Sequence, residues 1–523
     1  MRTLSLQLLI ATCLVTPSLA FAAAAESANA EALERSLRDQ VGGSLAFEPT
    51  TAVQWALLRN TDVLMAAEDI EIGEQRIQAE RGGWQPEFFA NIERSESERQ
   101  NSLDRPDRPV LEEEETYGQF GIRSLIGTGA EVTLSYEARD RFSNASSGDD
   151  PDGFDDVIAN VRFEIRQPLM RGRGAPSLRG AVRQANLRLE IARQQMQRRL
   201  LDSSFNVLRA YWQLYRAQQS EALTADAVAN ATALLEDSRR LVLAGRLPQV
   251  AIDDAQSGLL VRQAELAAAA QQVGQSQAEM RRLLDVDPVE YGQWEFQAAA
   301  MPDVTPVAPP EDFATYVAQV LEIWPSFQIA NTQVAIGNES IKMVQDDRRS
   351  SLDLILAYGQ NSRNFDNSRS DAFDDAFDNE YPEWSAGLEW STKLGANRRG
   401  RAEEAIARAQ VRQSQLEARA IRGEVGNQLM NRLQQVSSTY QELQNHRENV
   451  AILQTLLQRE RIAFDRGESS VRVLLGREDA LNIARLRAID AEVRYELAKS
   501  SLRLSDGTLL DELGISLEVE NEL

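Results

Sequence analysis

The chain has 523 residues, 43% of them hydrophobic and 26% charged, and its formal net charge is −24. The acidic balance argues against binding to nucleic acid, which attracts basic surfaces. The length allows two to four domains or one elongated domain.

The first residues are typical of a secretory signal. Arg2 supplies a positive charge, Leu4 to Val15 form a short apolar core, and small residues suitable for cleavage follow. We therefore expect residues 1–22 to be a signal peptide whose exact cleavage position is open. The single cysteine, Cys13, is a poor lipid-attachment site because it lies inside the apolar core.

Later in the chain, no apolar run reaches the ~18 residues that a membrane-spanning helix needs. If the protein crosses a bilayer, it must therefore do so with strands. Such strands have to close into a ring, because an open edge leaves amide groups unpaired in lipid.

A polar, weakly helical leader is expected over residues 23–48. Pro49 then opens a helix that runs to about Gly82, where glycines and a proline stop it. Thr50 or Thr51 is the expected N-cap of this helix.

Strand periodicity follows the first helix. Apolar residues alternate over six stretches, four in the first half of the chain and two in the second: 86–95, 116–124, 130–139, 157–167, 352–360 and 383–392. Charged loops are expected between them, at 96–115, 140–156 and 361–382.

Two very long helices are predicted, over residues 176–243 and 398–465, because neither stretch contains proline after its first turn. At ~1.5 Å per residue each would be ~100 Å long. In the second, Leu429, Val436 and Leu443 begin a heptad repeat that is typical of a coiled coil.

Each long helix ends near a glycine, and a return helix follows. The first pair turns at Gly245 into a helix over 249–284, and the second turns at Gly467 into a helix over 471–505. The sequence therefore predicts two long helical hairpins.

The two halves of the chain share a pattern. Val53 matches Val317 and Gly73 matches Gly337 at the same offset. We expect two internal repeats. The first repeat covers residues 49–300 and the second 311–510. A linker, 301–310, separates them, and a short tail, 511–523, follows. The first repeat is longer between its strands, which indicates an inserted hairpin at 116–139.

Several motifs resemble those of the trimeric outer-membrane efflux proteins typified by TolC, and the resemblance covers about residues 50–510. Asn60 followed by Val63 to Ala67 resembles the helix start of that family. Gln167 to Gly172 (Gln-Pro-Leu-Met-Arg-Gly) resembles its strand-to-helix junction, and Asp506 to Leu509 its C-terminal motif.

The resemblance implies the fold class. It implies an α+β membrane protein with a long antiparallel α-helical coiled-coil barrel, continuous with a transmembrane β-barrel that a homotrimer would share. Twelve strands are usual in the family. The inserted hairpin makes eighteen an alternative, or else the hairpin lies outside the barrel.

The resemblance also implies the function of a passive exit duct in a tripartite efflux or type I secretion system. It would lie in the Gram-negative outer membrane, with its helical tunnel in the periplasm. The implied partners are outer-membrane lipid, a periplasmic adaptor and an inner-membrane pump of the RND or ABC type. No cofactor and no metal are expected. The cargo and the pump class are open.

Enzymatic chemistry finds no support in the sequence. The single histidine, His446, lies in a long polar helix with no nucleophile or metal-ligand spacing beside it. An exposed helical residue is the simpler interpretation, so we expect no enzyme.

The helix ends are expected to form a periplasmic gate. The arginine and aspartates of the family pattern are replaced here by Ser469, Val473 and Gly476, so that network is not carried over. The candidates are instead residues near the two turns: Arg246, Asp253, Asp254, Arg466, Gly467, Arg472 and Arg477. The alternative is a solvated helix end.

Acidic residues recur in equivalent loops of the two halves, which the resemblance places outside the cell: Asp149, Asp150, Asp152, Asp371, Asp374 and Asp375. A solvated loop is the simple interpretation. A divalent-cation bridge to anionic lipid headgroups is the sharper one.

The main alternative is a periplasmic coiled-coil structural or adaptor protein that never enters the membrane. Helix length alone permits it. The alternating strands at two equivalent places argue against it, as does the missing biotinyl-lipoyl-like domain that adaptors contain.

Overall fold

The computed structural model describes residues 44–100, 110–144, 154–286, 295–364, 369–378, 381–395, 397–466 and 468–515. They form two compact units. The helical unit contains the described chain up to Ala66, Met196–Trp324 and the chain from Glu424 onwards, and the sheet unit contains Ala67–Gln195 and Pro325–Gly423. The predicted signal peptide and most of the leader and tail lie outside the described residues.

In chain order the elements are β1 (Ser44–Phe47), α1 (Pro49–Arg59), α2 (Thr61–Arg81), β2 (Glu87–Gln100), β3 (Val110–Leu125), β4 (Glu131–Ser143), β5 (Phe154–Pro168), α3 (Pro176–Leu243), α4 (Val250–Leu283), β6 (Glu295–Ala298), α5 (Phe313–Ile323), α6 (Pro325–Asp347), β7 (Ser351–Asn364), α7 (Arg369–Asp375), β8 (Pro382–Ser391), α8 (Arg398–Asp465), α9 (Val471–Asp506) and α10 (Leu509–Glu512). The long helices α3 and α8 have 68 residues each. Among the described residues, no helix is both long and apolar enough to span a membrane.

The sheet unit contains one antiparallel sheet of six strands, in the order β2-β3-β4-β5-β7-β8. The predicted inserted hairpin, 116–139, supplies β3 and β4, which lie between β2 and β5 and pair with both. It is therefore part of the sheet.

The strands are longer than the sequence predicted, so the predicted loop bounds were wrong. Most of 96–115 belongs to β2 and β3, and 361–382 contains the end of β7, the helix α7 and the start of β8. Charged residues extend the strands because they pair across them. Arg94, for example, bonds Glu114 at 3.0 Å. A search for apolar alternation could not detect such strand ends.

The predicted helix from Pro49 to Gly82 is two helices. Asn60 interrupts it with an extended ψ of 117°. Its side-chain Oδ1 accepts a hydrogen bond from the backbone N–H of Asp62 at 2.9 Å, so Asn60 caps α2. The predicted threonine cap of α1 was also wrong, because Pro49 is its first residue and Glu48 is the N-cap.

The last part of the predicted leader is a strand. β1 pairs in parallel with β6, a strand that the sequence analysis missed. Tyr211 fixes the pair: its hydroxyl donates to the carbonyl of Phe47 at 3.1 Å and accepts from the N–H of Ala300 at 2.9 Å. The other edge of β6 is satisfied by Gln277, which bonds both the N–H and the carbonyl of Phe296.

The predicted linker, 301–310, is fastened to α9. The Lys499 ammonium, whose side chain is 2% exposed, donates to the backbone carbonyl of Asp303 at 2.6 Å and to its carboxylate at 2.8 Å. This hydrogen bond lowers the pKa of Asp303 to about 2. Tyr495 donates to the carbonyl of Thr305 at 2.6 Å. The linker is therefore a fixed part of the helical unit.

Two glycines in matching places of the two halves allow close helix packing. A Cβ on Gly73 of α2 would lie 3.0 Å from Leu189 Cδ1 of α3, and a Cβ on Gly337 of α6 would lie 2.7 Å from Val411 Cγ2 of α8. Leu189 and Val411 are both buried. Each short helix therefore approaches its long neighbour where a side chain is missing.

We predict opposite effects for two alanine substitutions in the sheet unit. Gly337→Ala should lower the free energy of unfolding by about 1–3 kcal/mol, because it overpacks against Val411. Gly423→Ala, on α8, has open space around the new Cβ and should raise it by about 0.5–1 kcal/mol. Denaturant unfolding of the purified variants measures both. Equal effects would show that the close approach is not a constraint.

Candidate functional site

One face of the sheet is an exposed apolar surface. Within the described strands, every large hydrophobic side chain that is more than about a third exposed lies on this face. One row crosses all six strands in direct register: Phe88, Ile122, Leu134, Phe163, Tyr358 and Trp384. Their exposure runs from 42% for Phe163 to 75% for Trp384, so no other part of the described chain covers them.

The opposite face is polar. An adjacent row in the same register is Glu87, Arg123, Thr133, Glu164, Ala357 and Ser385. Ion pairs run along it: Arg123 bonds Glu87 at 2.8 Å, and Arg166 bonds Glu389 at 2.9 Å. The sheet therefore presents apolar side chains on one face and charged side chains on the other.

The apolar face has bounds along the strands. On β8, Trp384 and Trp390 stand on this face with Leu388 between them. The two tryptophans are six steps apart, which is ~20 Å along the strand and ~15 Å of height at a tilt of ~40°, so both fit within the ~25 Å apolar band of a barrel in an outer membrane. Beyond this level on the same face, Arg94 and Glu114 replace the apolar side chains.

The acidic residues of the second half lie on a helix, so their prediction as a loop was wrong. Asp371, Asp374 and Asp375 belong to α7. The other side of this segment packs Ala372 and Ala376 against β5 at the edge of the apolar face. Among the described residues, no group of three acidic, histidine or cysteine side chains could hold a metal ion. Asp149, Asp150 and Asp152 lie outside the described residues.

The second candidate site is formed by the turns between the long helices. Gly245, with φ of +73°, reverses the chain between α3 and α4. A small core holds the helix ends together: Leu234, Leu235, Ala251, Ala255, Phe464, Val471 and Leu474. Gly467 lies outside the described residues.

The structure brings together only part of the predicted gate set. Arg472 of α9 bonds Asp254 of α4 at 3.1 Å, and Arg477 lies 3.9 Å from Glu460 of α8. Arg246, Asp253 and Arg466 are exposed. The pair between Arg472 and Asp254 is the one predicted contact that links α4 to α9.

A stronger link was missed by the sequence analysis. Arg262 of α4 has a side chain only 4% exposed, and its guanidinium lies 2.7 Å from Asp479 and 3.9 Å from Glu478 of α9. Burial raises the pKa of Glu478, and Arg461 of α8 reaches its carboxylate at 3.5 Å. Only the arginine escaped notice, because Arg262 lies far beyond the turn in an ordinary polar helix and no local pattern marks it.

We predict that Arg262 dominates the link between α4 and α9. Arg262→Met removes a buried cation and should lower the free energy of opening these helices by about 3 kcal/mol. Where local opening controls amide exchange, this loss corresponds to roughly hundredfold faster exchange. Arg472→Met is the matched control. Its side chain is 78% exposed, so the loss should stay within about 0–1 kcal/mol. Hydrogen exchange over 250–283 and 471–506 measures both, and the reverse order would contradict the assignment.

Comparison with known proteins now adds a family and a fold. Residues 317–508 match the family model described as outer membrane efflux protein. No curated protein matches the chain. The resemblance recognised from the sequence is therefore confirmed over these residues of the second half.

Solved structures extend the likeness over most of the chain. The chain is similar to CusC, whose crystal structures are described in terms of folding and transmembrane channel formation. The sequence identity is 15% and the TM-score is 0.64, and the match covers 88% of this chain and 92% of CusC. The Neisseria gonorrhoeae outer membrane channel MtrE matches at 14% identity and a TM-score of 0.63, over 88% and 89%. The Vibrio cholerae outer membrane protein VceC matches at 12% identity and a TM-score of 0.61, and the match covers 88% of this chain and 96% of VceC. These matches establish the fold.

Proposed function

We propose that three copies of this chain form an outer-membrane channel that serves as the passive exit duct of an efflux or secretion system. The two-faced sheet carries the proposal. An apolar surface that spans six strands and ~20 Å is costly to expose to water, and lipid is the medium that suits it. The charged face then lines an aqueous lumen.

The sheet edges favour closure between copies. β2 and β8 stand at the two ends of the strand order, and nearly every residue of both is exposed. In lipid an unpaired edge is excluded, because each free amide there costs several kcal/mol. Pairing β2 of one copy with β8 of the next satisfies both edges, and three repetitions close a ring.

The helix ends form the inner, periplasmic mouth in this proposal. The links between α4 and α9 combine one buried arginine cluster with one exposed ion pair. A periplasmic adaptor docked on the helices can offset such limited energies and open the mouth. The duct itself draws its energy from an inner-membrane pump, and copurification after cross-linking distinguishes an RND-type from an ABC-type partner.

The alternative of a periplasmic coiled-coil protein is disfavoured by the same apolar face. A protein that stays in water would have to cover the row from Phe88 to Trp384 with a partner. Its sheet would also be expected to carry charge on both faces. Localisation decides between the two: the alternative requires release of the mature protein with the soluble periplasm.

We predict a difference between two arginine substitutions on β8. Leu388→Arg places a cation on the apolar face and should cost about 2–4 kcal/mol near the bilayer middle, with loss of outer-membrane assembly. Ser385→Arg, on the polar face, should assemble normally. Membrane fractionation and the heat-modifiable mobility of the trimer on SDS gels measure the outcome. Equal assembly of both variants would contradict a lipid-facing surface.

A further inference from the structure

The sheet has six strands per copy, and β3 and β4 are integral to it. The pairing of β2 with β3 runs unbroken from Glu87–Arg123 to Gln100–Val110, and β4 pairs with β5 along its whole length. A hairpin lying outside a ring would leave β2 paired directly with β5. In this chain the two are separated by two full strands.

The side chains of the hairpin follow the two faces of the sheet. Phe120 and Ile122 of β3 and Leu134 of β4 are 45–50% exposed, and all three lie on the apolar face. On the polar face, Arg139 of β4 bonds Glu115 of β3 at 3.1 Å. The hairpin thus meets the same two environments as the four other strands.

The turn of the hairpin is fixed to the strand-to-helix junction after β5. The N–H of Gly174 donates to the carbonyl of Thr128 at 2.7 Å, and the Arg179 guanidinium donates to the carbonyl of Gly127 at 2.7 Å. Gly129 has a φ of +84°, and a Cβ there would lie 2.3 Å from the carbonyl of Gly172. These contacts hold the base of the hairpin in line with the sheet.

We infer that the ring closed by three copies contains eighteen strands and encloses a wide outer vestibule. The inference rests on the proposed trimer. With ~4.8 Å between strands and a tilt of ~40°, eighteen strands give a backbone diameter of ~36 Å, against ~24 Å for twelve. The cross-section is then about twofold larger. Such a vestibule admits bulkier solutes than the usual ring of this family.

Cysteine pairs test the strand order directly. The single cysteine, Cys13, lies in the predicted signal peptide, so no other thiol of the mature chain competes. Ile92→Cys with Gly118→Cys joins β2 to β3 and should form a disulfide. Phe88→Cys with Phe163→Cys is the matched control. Those positions are three strand spacings apart, ~14 Å, so that pair should stay reduced.

The readout uses a protease site introduced at 101–109, between the two cysteines of each pair. After cleavage of the trimer in lipid, the fragments should stay joined in the first variant and separate in the second on a non-reducing gel. The reverse result places the hairpin outside the ring and overturns the inference, with the trimeric channel intact. Failure to form any trimer or pore overturns the proposed function as well.

Vestibule width supplies a second measurement. Polyethylene glycols of graded size, added only on the barrel side of a planar bilayer, report the radius of the outer vestibule independently of the inner mouth. The full chain should admit polymers about 1.5 times larger in radius than a variant that lacks residues 110–144 and so closes with four strands per copy. Equal cut-offs in two assembled trimers would overturn the inference. If the deletion variant does not assemble, the cysteine pairs decide.

Discussion

A strand in hydrocarbon has to pair every backbone amide and to turn only apolar side chains outwards. The side chains of the six-stranded sheet have the pattern that this constraint requires. The six strands place their exposed hydrophobic residues on one face, and the other face carries arginines and carboxylates in cross-strand pairs. The strands at the two ends of the sheet are exposed along their length. A single copy therefore holds a two-faced sheet whose two end strands each have one edge unpaired within the chain.

The length and packing of the helices depend on other features of the sequence. Their length comes from the absence of proline, and their contacts come from small residues and heptad spacing rather than from any one motif. Buried links such as Arg262 with Glu478 and Asp479 are few in the described chain, and most other ion pairs are half exposed. Exposed pairs contribute little to stability. Apart from the buried Arg262 cluster, the charged contacts between α4 and α9 therefore hold these helices together only weakly.

The sequence revealed features that depend on local order. The long helices, the six strands and the tip glycine Gly245 follow from residues that are neighbours in the chain. Strand ends were underestimated, because the charged residues beyond Ser95 pair only with a strand that is distant in sequence. The break at Asn60 and the pairing of β1 with β6 were missed, as was Arg262, since each depends on a partner that a single sequence does not show.

The sequence identity to structures of similar fold is only 12–15%. This agrees with a fold that depends on residue patterns more than on particular residues. Periodicity and small residues at close contacts fix the fold, and many sequences satisfy them. The proposed channel requires the apolar face of the sheet to meet lipid. A spin-label scan of single cysteines along β8, in lipid bilayers, tests this most directly. We expect oxygen accessibility to peak at Trp384, Leu388 and Trp390, and that of a water-soluble relaxation agent to peak at Ser385 and Gly387. Equal access of both agents along the strand would contradict the account.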